Sequence, residues 1–226
     1  MDKKTEILKI KSLAESGECG GNSTAEIFAR VFRAFQKTLG VTPYDEQLSG
    51  ALSLYDGKMV QMQTGEGKTF CAVFAACARA LEGERVHVLT FNDYLAQRDC
   101  GWLKPVYDEM GVSVGCITEK TPRSARAELY SRQVVYMTAG VAGFDYLRDF
   151  VCFKTQDMVF PEKLGFAIVD EADSILIDEA RIPLVIAGDM EVSEDNSTAQ
   201  VYEKVSDFTD GDYGVDEESR NVYLTD

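Results

Sequence analysis

The chain has 226 residues and a mass of 25.0 kDa, and 45% of its residues are hydrophobic, enough to bury a sizeable core in one large domain or one domain with a small appendage. Its formal charge of −15 argues against a free-standing nucleic-acid binder, whose affinity rests on Lys and Arg releasing counterions, so no specific nucleic-acid partner is expected. No run approaches the ~20 apolar residues of a membrane span, and Met1-Asp-Lys-Lys-Thr-Glu6 lacks the apolar stretch of a signal peptide, so the chain is expected to stay in the cytoplasm.

After a polar start, Leu13 to Asn22 is rich in Gly, Ser and Glu and reads as a loop. Helical spacing of Ile27, Val31, Phe32 and Phe35 predicts a helix over 24–39 with Thr24 as its cap, and a second helix follows Pro43, from Asp45 to about Leu54. Asp56-Gly57 then turns the chain into the first of five short runs rich in Val and Ile: 59–62, 86–90, 112–117, 134–137 and 166–169. Between them the pattern is helical, over 68–81, 93–110, 122–131 and 141–150. Strands that read as continuous apolar runs, alternating with helices, predict an α/β fold: a doubly wound, mostly parallel sheet covered on both faces, with ligand at the carboxyl ends of its strands.

Phe70 to Cys77 is apolar all round, so the 68–81 helix is expected to be buried, and Trp102 and Tyr107 at helical spacing read as core. The only histidine, His87, sits in an apolar strand and reads as a sheet residue. The six cysteines show no C-x-x-C pair and no zinc-like spacing with histidine, and are expected to be reduced, mostly buried thiols. Composition changes beyond Gly188: from Asp189 to Asp226 there are 12 acidic and 2 basic residues, leaving only −5 for the rest. There a linker (189–197), a short helix (198–208) and a hairpin around Asp216-Glu-Glu-Ser219 are expected; such a hairpin does not stand alone as a domain.

The most informative stretch is Met59-Val-Gln-Met-Gln-Thr-Gly-Glu-Gly-Lys-Thr-Phe70. Gly65 and Gly67 let the backbone turn and aim amides inward, Lys68 can meet β and γ phosphates, and the Thr69 hydroxyl can ligate Mg²⁺, with Thr64 and Glu66 completing the cradle. The general pattern G-x-x-x-x-G-K-[ST] would place glycine where this chain has Met62, so only the tighter form T-G-x-G-K-T survives. A dinucleotide fingerprint fits worse, because its third glycine would fall at Phe70. Some 100 residues on, Gly165-Phe-Ala-Ile-Val-Asp-Glu-Ala-Asp173 delivers Asp170 and Glu171 to the carboxyl end of an apolar strand. Asp170 is expected to hold Mg²⁺, Glu171 to orient an attacking water and take its proton, and Asp173 to bond neighbouring motifs or cap a helix starting at Ser174.

These motifs, together with Thr42-Pro-Tyr-Asp-Glu-Gln-Leu48, Asn92-Asp-Tyr-Leu-Ala-Gln-Arg-Asp99, Gly143-Phe-Asp-Tyr-Leu-Arg-Asp149 and the extension Ser174 to Arg181, closely resemble SecA, the ATPase motor of bacterial preprotein translocation, over about Leu39 to Gly188. The resemblance implies a RecA-like first nucleotide-binding lobe over 39–188, an N-terminal helical segment over 1–38, and over 189–226 a linker and the beginning of a preprotein-crosslinking domain. It implies that Gln47 reads the adenine edge of ATP, that Lys68, Asp170 and Glu171 carry catalysis, and that Arg98 joins a polar network between lobes. It further implies preproteins, a membrane channel and an anionic membrane surface as partners of the intact protein at the cytoplasmic face of the bacterial inner membrane, with homodimerisation left open. Turnover is expected to be feeble without the arginine of a second lobe, worth ~10³ or more in rate. Two other readings are a non-hydrolysing module derived from the same family and a DEAD-type RNA helicase lobe. Three departures stand out: Ala139-Gly-Val-Ala142 where the family usually has Asn-Asn-Glu-Phe, Ile182 for Thr, and Ala172 for Val.

Overall fold

The computed structural model describes residues 2–161, 163–186, 208–209, 212–216 and 221–224. The chain divides into two units, Met1–Ile186 and Ala187–Asp226. In the first, the helices are α1 (Lys3–Ser16), α2 (Thr24–Leu39), α3 (Asp45–Tyr55), α4 (Lys68–Leu81), α5 (Asp93–Glu109), α6 (Arg123–Tyr130) and α7 (Ala139–Phe150). They frame strands β1 (Val86–Thr90), β2 (Val114–Cys116), β3 (Val134–Thr138) and β4 (Phe166–Val169).

The strands form one parallel sheet in the order β2-β3-β1-β4. Val86 of β1 is in register with Val134 on one side and Phe166 on the other. β3 shows why such strands read as unbroken apolar runs. Val134 and Tyr136 enter the large core under α4 and α5, while Val135 and Met137 enter a second core with Tyr130 of α6 and Val141 of α7. With both faces covered, alternation between polar and apolar residues has no place. The larger core also holds Phe28, Phe35 and Phe74, with the Phe74 ring 5.3 Å from that of Phe28 and 5.4 Å from that of Phe35 between centroids. The α4 helix is buried along most of its length, as its sequence requires.

Four expectations need correction. Residues 59–62 form no strand: Met59 is exposed, and the described sheet offers this run no ladder, without which its N–H and C=O groups gain nothing from extension. The polar start is helical through Ser16, held by a narrow buried stripe of Ile7, Ile10 and Ala14 that its lysines obscure. The cap of α2 is Ser23, not Thr24, because Glu26 sits three residues on and completes a reciprocal capping box with it. Trp102 is 47% exposed, although its ring packs on Phe70. His87 and Tyr107 are buried as read. In the second unit β5 (Tyr213–Asp216) pairs antiparallel with β6 (Asn221–Leu224). The linker at 189–197, almost all of the helix at 198–208 and the hairpin turn at 217–220 lie outside the described residues.

Candidate functional site

The phosphate loop leads directly into α4. Gly65 and Gly67 adopt φ of 89° and 84°, left-handed values that only glycine takes readily, and no side chain caps the helix; the Phe70 amide turns back to the Gly67 carbonyl at 3.0 Å, while those of Lys68 and Thr69 have no backbone acceptor. A Cβ at Gly67 would collide with the side-chain amide of Gln47. Gln47 lies in the first turn of α3 and is buried; its Nε2 donates to the Glu66 carbonyl at 2.8 Å and its Oε1 accepts from the Tyr44 amide at 3.0 Å. The helix is thus pinned to the loop, and the amide keeps one N–H and one lone pair free. Thr64, Gly65 and Glu66 are exposed, while Lys68 and Thr69 are half-buried at the head of α4.

The second half of the site arrives on β4. Asp170 continues the ladder beyond the strand, its amide donating to Leu89 O at 2.9 Å, which fixes its carboxylate at the carboxyl edge of the sheet. There it shares a cavity of about 60 Å³ with Lys68 and Thr69, walled by Val60, Val88 and Ile168. Burial, and then the neighbouring Glu171 charge, push the Asp170 carboxyl above its ordinary value, against the opposing effects of the Glu171 amide bond and then the Lys68 charge. Glu171 stands at φ 53°, the one positive-φ residue besides glycine among those described, and its Oε1 lies 3.4 Å from Lys68 Nζ. A non-glycine residue held in this region carries strain, and such strain concentrates at functional sites.

Motifs 103 residues apart in sequence therefore converge through one ion pair. Glycine amides, a lysine ammonium and an uncapped helix start suit a phosphate; a hydroxyl and a carboxylate side by side are the hard oxygen donors that Mg²⁺ prefers. Asp173 caps nothing, because it is itself helical and the following Ser174–Asp178 is a single π-helical turn. Arg98 is turned onto its neighbour, with Nε and Nη2 each 2.7 Å from Asp99 Oδ1. Asp99 is a cavity residue the sequence reading passed over: buried, and lining the same space as Lys68 and Asp170. Its adjacency to Arg98 in Ala96-Gln-Arg-Asp99 was the available signal.

The Gly143 to Asp149 motif does different work. Asp145 is fully buried, meeting Arg126 at 2.6 Å and the Tyr130 hydroxyl at 2.9 Å, while Asp149 takes Arg123 at 2.8 Å and the amides of Val159 and Phe160. One turn of α7 thus ties α6 to the segment that leads into β4. Although Ala139-Gly-Val-Ala142 departs from the family pattern, α7 still starts cleanly, with Thr138 Oγ1 accepting from the Val141 amide at 3.1 Å.

Fold and loop together define a RecA-like, phosphate-loop lobe of the DEAD-like class. Residues 1–221 match the family described as SecA DEAD-like domain. The chain is 46% identical over 203 residues to protein translocase subunit SecA 2 of Thermobifida fusca, covering 89% of this chain and 26% of that protein. It is 42% identical over 224 residues to protein translocase subunit SecA of Legionella pneumophila, covering 96% and 25%, and 45% identical over 212 residues to that of Nitrosococcus oceani, covering 89% and 23%. The chain belongs to the SecA family, and it spans about a quarter of the length of these relatives. The family match does not favour the RNA helicase reading. No helix among the described residues is long and apolar enough to cross a membrane.

Proposed function

We propose that this chain is the first ATP-binding lobe of a SecA-type motor, which couples ATP hydrolysis to the export of unfolded preproteins. The observation that carries this reading is the meeting of Lys68 and Thr69 with Asp170 at one cavity on the carboxyl edge of the sheet, with Glu171 paired to Lys68 beside it. Residues 39–188 are the lobe proper, and 189–226 open a further module.

In this reading Thr64, Gly65, Glu66 and Gly67 wrap the phosphates with their amides, and Lys68 exchanges Glu171 for the β and γ oxygens. Thr69 and Asp170 would hold Mg²⁺, which when bound neutralises charge on the phosphates. Released from Lys68, the Glu171 carboxylate turns to a water, orients it and accepts its proton. The remaining N–H and lone pair of Gln47 match the donor and acceptor of an adenine edge, so base recognition and loop shape are joined in one side chain.

Among the described residues no arginine lines the cavity, and Arg98, 46% exposed, is directed at Asp99. Charge on a transferring phosphoryl group is thus left without a guanidinium, which supports slow turnover by this chain alone and arginine supplied by a second lobe. The partners proposed for the whole protein are preproteins, a membrane channel and anionic lipid, at the cytoplasmic face of the bacterial inner membrane.

Calorimetric titration with Mg-ATP, with phosphate release followed in parallel and Lys68→Ala as control, tests the reading. Lysine-dependent binding with slow release is expected. Absence of binding by a folded chain would overturn it. In the full-length protein, stimulation of hydrolysis by preprotein and channel-containing membranes is expected; stimulation by RNA instead would overturn the export role.

A further inference from the structure

The six cysteines are all free thiols, and three of them, Cys19, Cys71 and Cys77, are buried. Burial pushes Cys71 up to about 11 and Cys77 higher still, so these two behave as inert core residues. Cys100 and Cys116 differ from them.

Cys100 lies on α5 in the stripe Ala96, Cys100, Leu103, Tyr107, whose other three members are buried. That spacing puts its side chain on the face of the helix that meets the sheet. Cys116 ends β2 in register with Tyr136 of β3. Register neighbours on adjacent strands share a face of the sheet. The Tyr136 hydroxyl is 2.9 Å from that of Tyr107 on α5, so the shared face is the one α5 covers. Both cysteines pack against the same core from its margin and are only half-buried, so a small solute reaches them.

Backbone placement thus brings two thiols onto one face of the sheet where α5 packs across its edge strand, near enough for each to perturb the other. Their surroundings separate their roles. Interaction with the Cys116 thiol, aided by the Lys104 ammonium one turn along α5, favours the Cys100 thiolate against the effect of burial. Cys116 keeps its proton, through Cys100 first and burial second, with Asp93 close by. One sulfur is prepared as a nucleophile and the other as its resolving partner.

We propose that Cys100 and Cys116 form a redox-active dithiol that a peroxide converts into a disulfide, joining α5 to the edge strand β2. The Cys100 thiolate attacks one peroxide oxygen; the O–O bond breaks, leaving a sulfenic acid on Cys100 and a hydroxide that takes the Cys116 proton. The Cys116 thiolate then attacks the Cys100 sulfur and expels a second hydroxide, which is protonated by solvent. Two thiols and one hydrogen peroxide yield one disulfide and two waters, so sulfur is oxidised and peroxide reduced in balance. A dithiol reductant reverses the step.

The test is peptide mapping of the full chain after brief treatment with dilute hydrogen peroxide and alkylation of the remaining thiols under native conditions. A linked Cys100–Cys116 peptide is expected, with two of the six thiols lost and both restored by dithiothreitol. In Cys116→Ser the reaction should stop at a sulfenic acid on Cys100, trapped by dimedone. In Cys100→Ser residue 116 should stay reduced over the same interval. The proposal is overturned if the folded wild-type chain oxidises first at Cys152 or Cys19, or if the linked peptide forms only after denaturation.

Discussion

Two pairs of acidic residues show how differently the same carboxylate can be used. Asp145 and Asp149, one turn apart on α7, are enclosed and nearly saturated: two arginines, a tyrosine hydroxyl and two backbone amides occupy their oxygens. Asp170 and Glu171 stand at the end of β4 with a single short bond between them, from the Glu171 amide to Asp170 Oδ1, and one long ion pair to Lys68. Saturated oxygens hold the molecule together and have nothing left for a ligand. Unsaturated ones, left crowded and strained by the fold, keep that capacity.

The largest effect should come from breaking the saturated pair. Asp145→Ala would leave the buried Arg126 charge and the Tyr130 hydroxyl without their partner, and should cost about 3–5 kcal/mol in denaturant unfolding. A loss under ~1 kcal/mol would erase the distinction. At the other pair the cost should fall on binding: Lys68→Ala should weaken Mg-ATP by ~2 kcal/mol, or ~30-fold, in calorimetry. Its half-exposed pair with Glu171 contributes little to folding, so the unfolding midpoint should barely move.

Glu171→Gly should raise stability by about 0.5–1 kcal/mol, because glycine accepts φ 53° without the steric cost that glutamate bears. A loss of stability would mean that this backbone is relaxed. The smallest effect concerns His87, packed between the Tyr130 and Phe160 rings with Nε2 unpartnered. Burial, and then the Arg85 charge, lower its basicity below the ordinary 6.5. The unfolded chain therefore binds the proton more readily. The neutral form's stability is fully present above about pH 6.5 and declines as pH falls through and below that value. Comparing unfolding at pH 7.5 and 5.5 should show a smaller drop in His87→Leu than in the wild type.

The parallel lobe was legible because its signals are local and redundant. β1 and β4 fall on the expected residues, and α4 spans Lys68–Leu81 as its apolar surface requires. Lys68, Thr69, Asp170 and Glu171 could be paired in advance because strand ends and helix starts meet at one edge of such a sheet. What escaped depends on neighbours. Whether 59–62 becomes a strand is decided by what lies beside it, and no property of Met59-Val-Gln-Met62 records that. Glu171's left-handed backbone is likewise invisible in Asp-Glu-Ala-Asp, since it belongs to the junction between the end of β4 and the π turn that follows. The convergence of Cys100 and Cys116 needs the strand register, which spacing alone does not supply.

The unladdered run ahead of the phosphate loop also changes what the backbone would report in deuterium oxide. Among the described residues, the amides from Met59 to Gln63 donate to no backbone carbonyl, whereas those of Phe166 and Asp170, at the two ends of β4, donate to Arg85 and Leu89 alongside β1. The approach to the loop should therefore take up deuterium within seconds while the β4 amides that face β1, that of Asp170 among them, stay protected. The two halves of one site would thus register as two clocks, and slowing of the faster one would signal that a partner strand, in whatever assembly the lobe enters, has come to lie beside it.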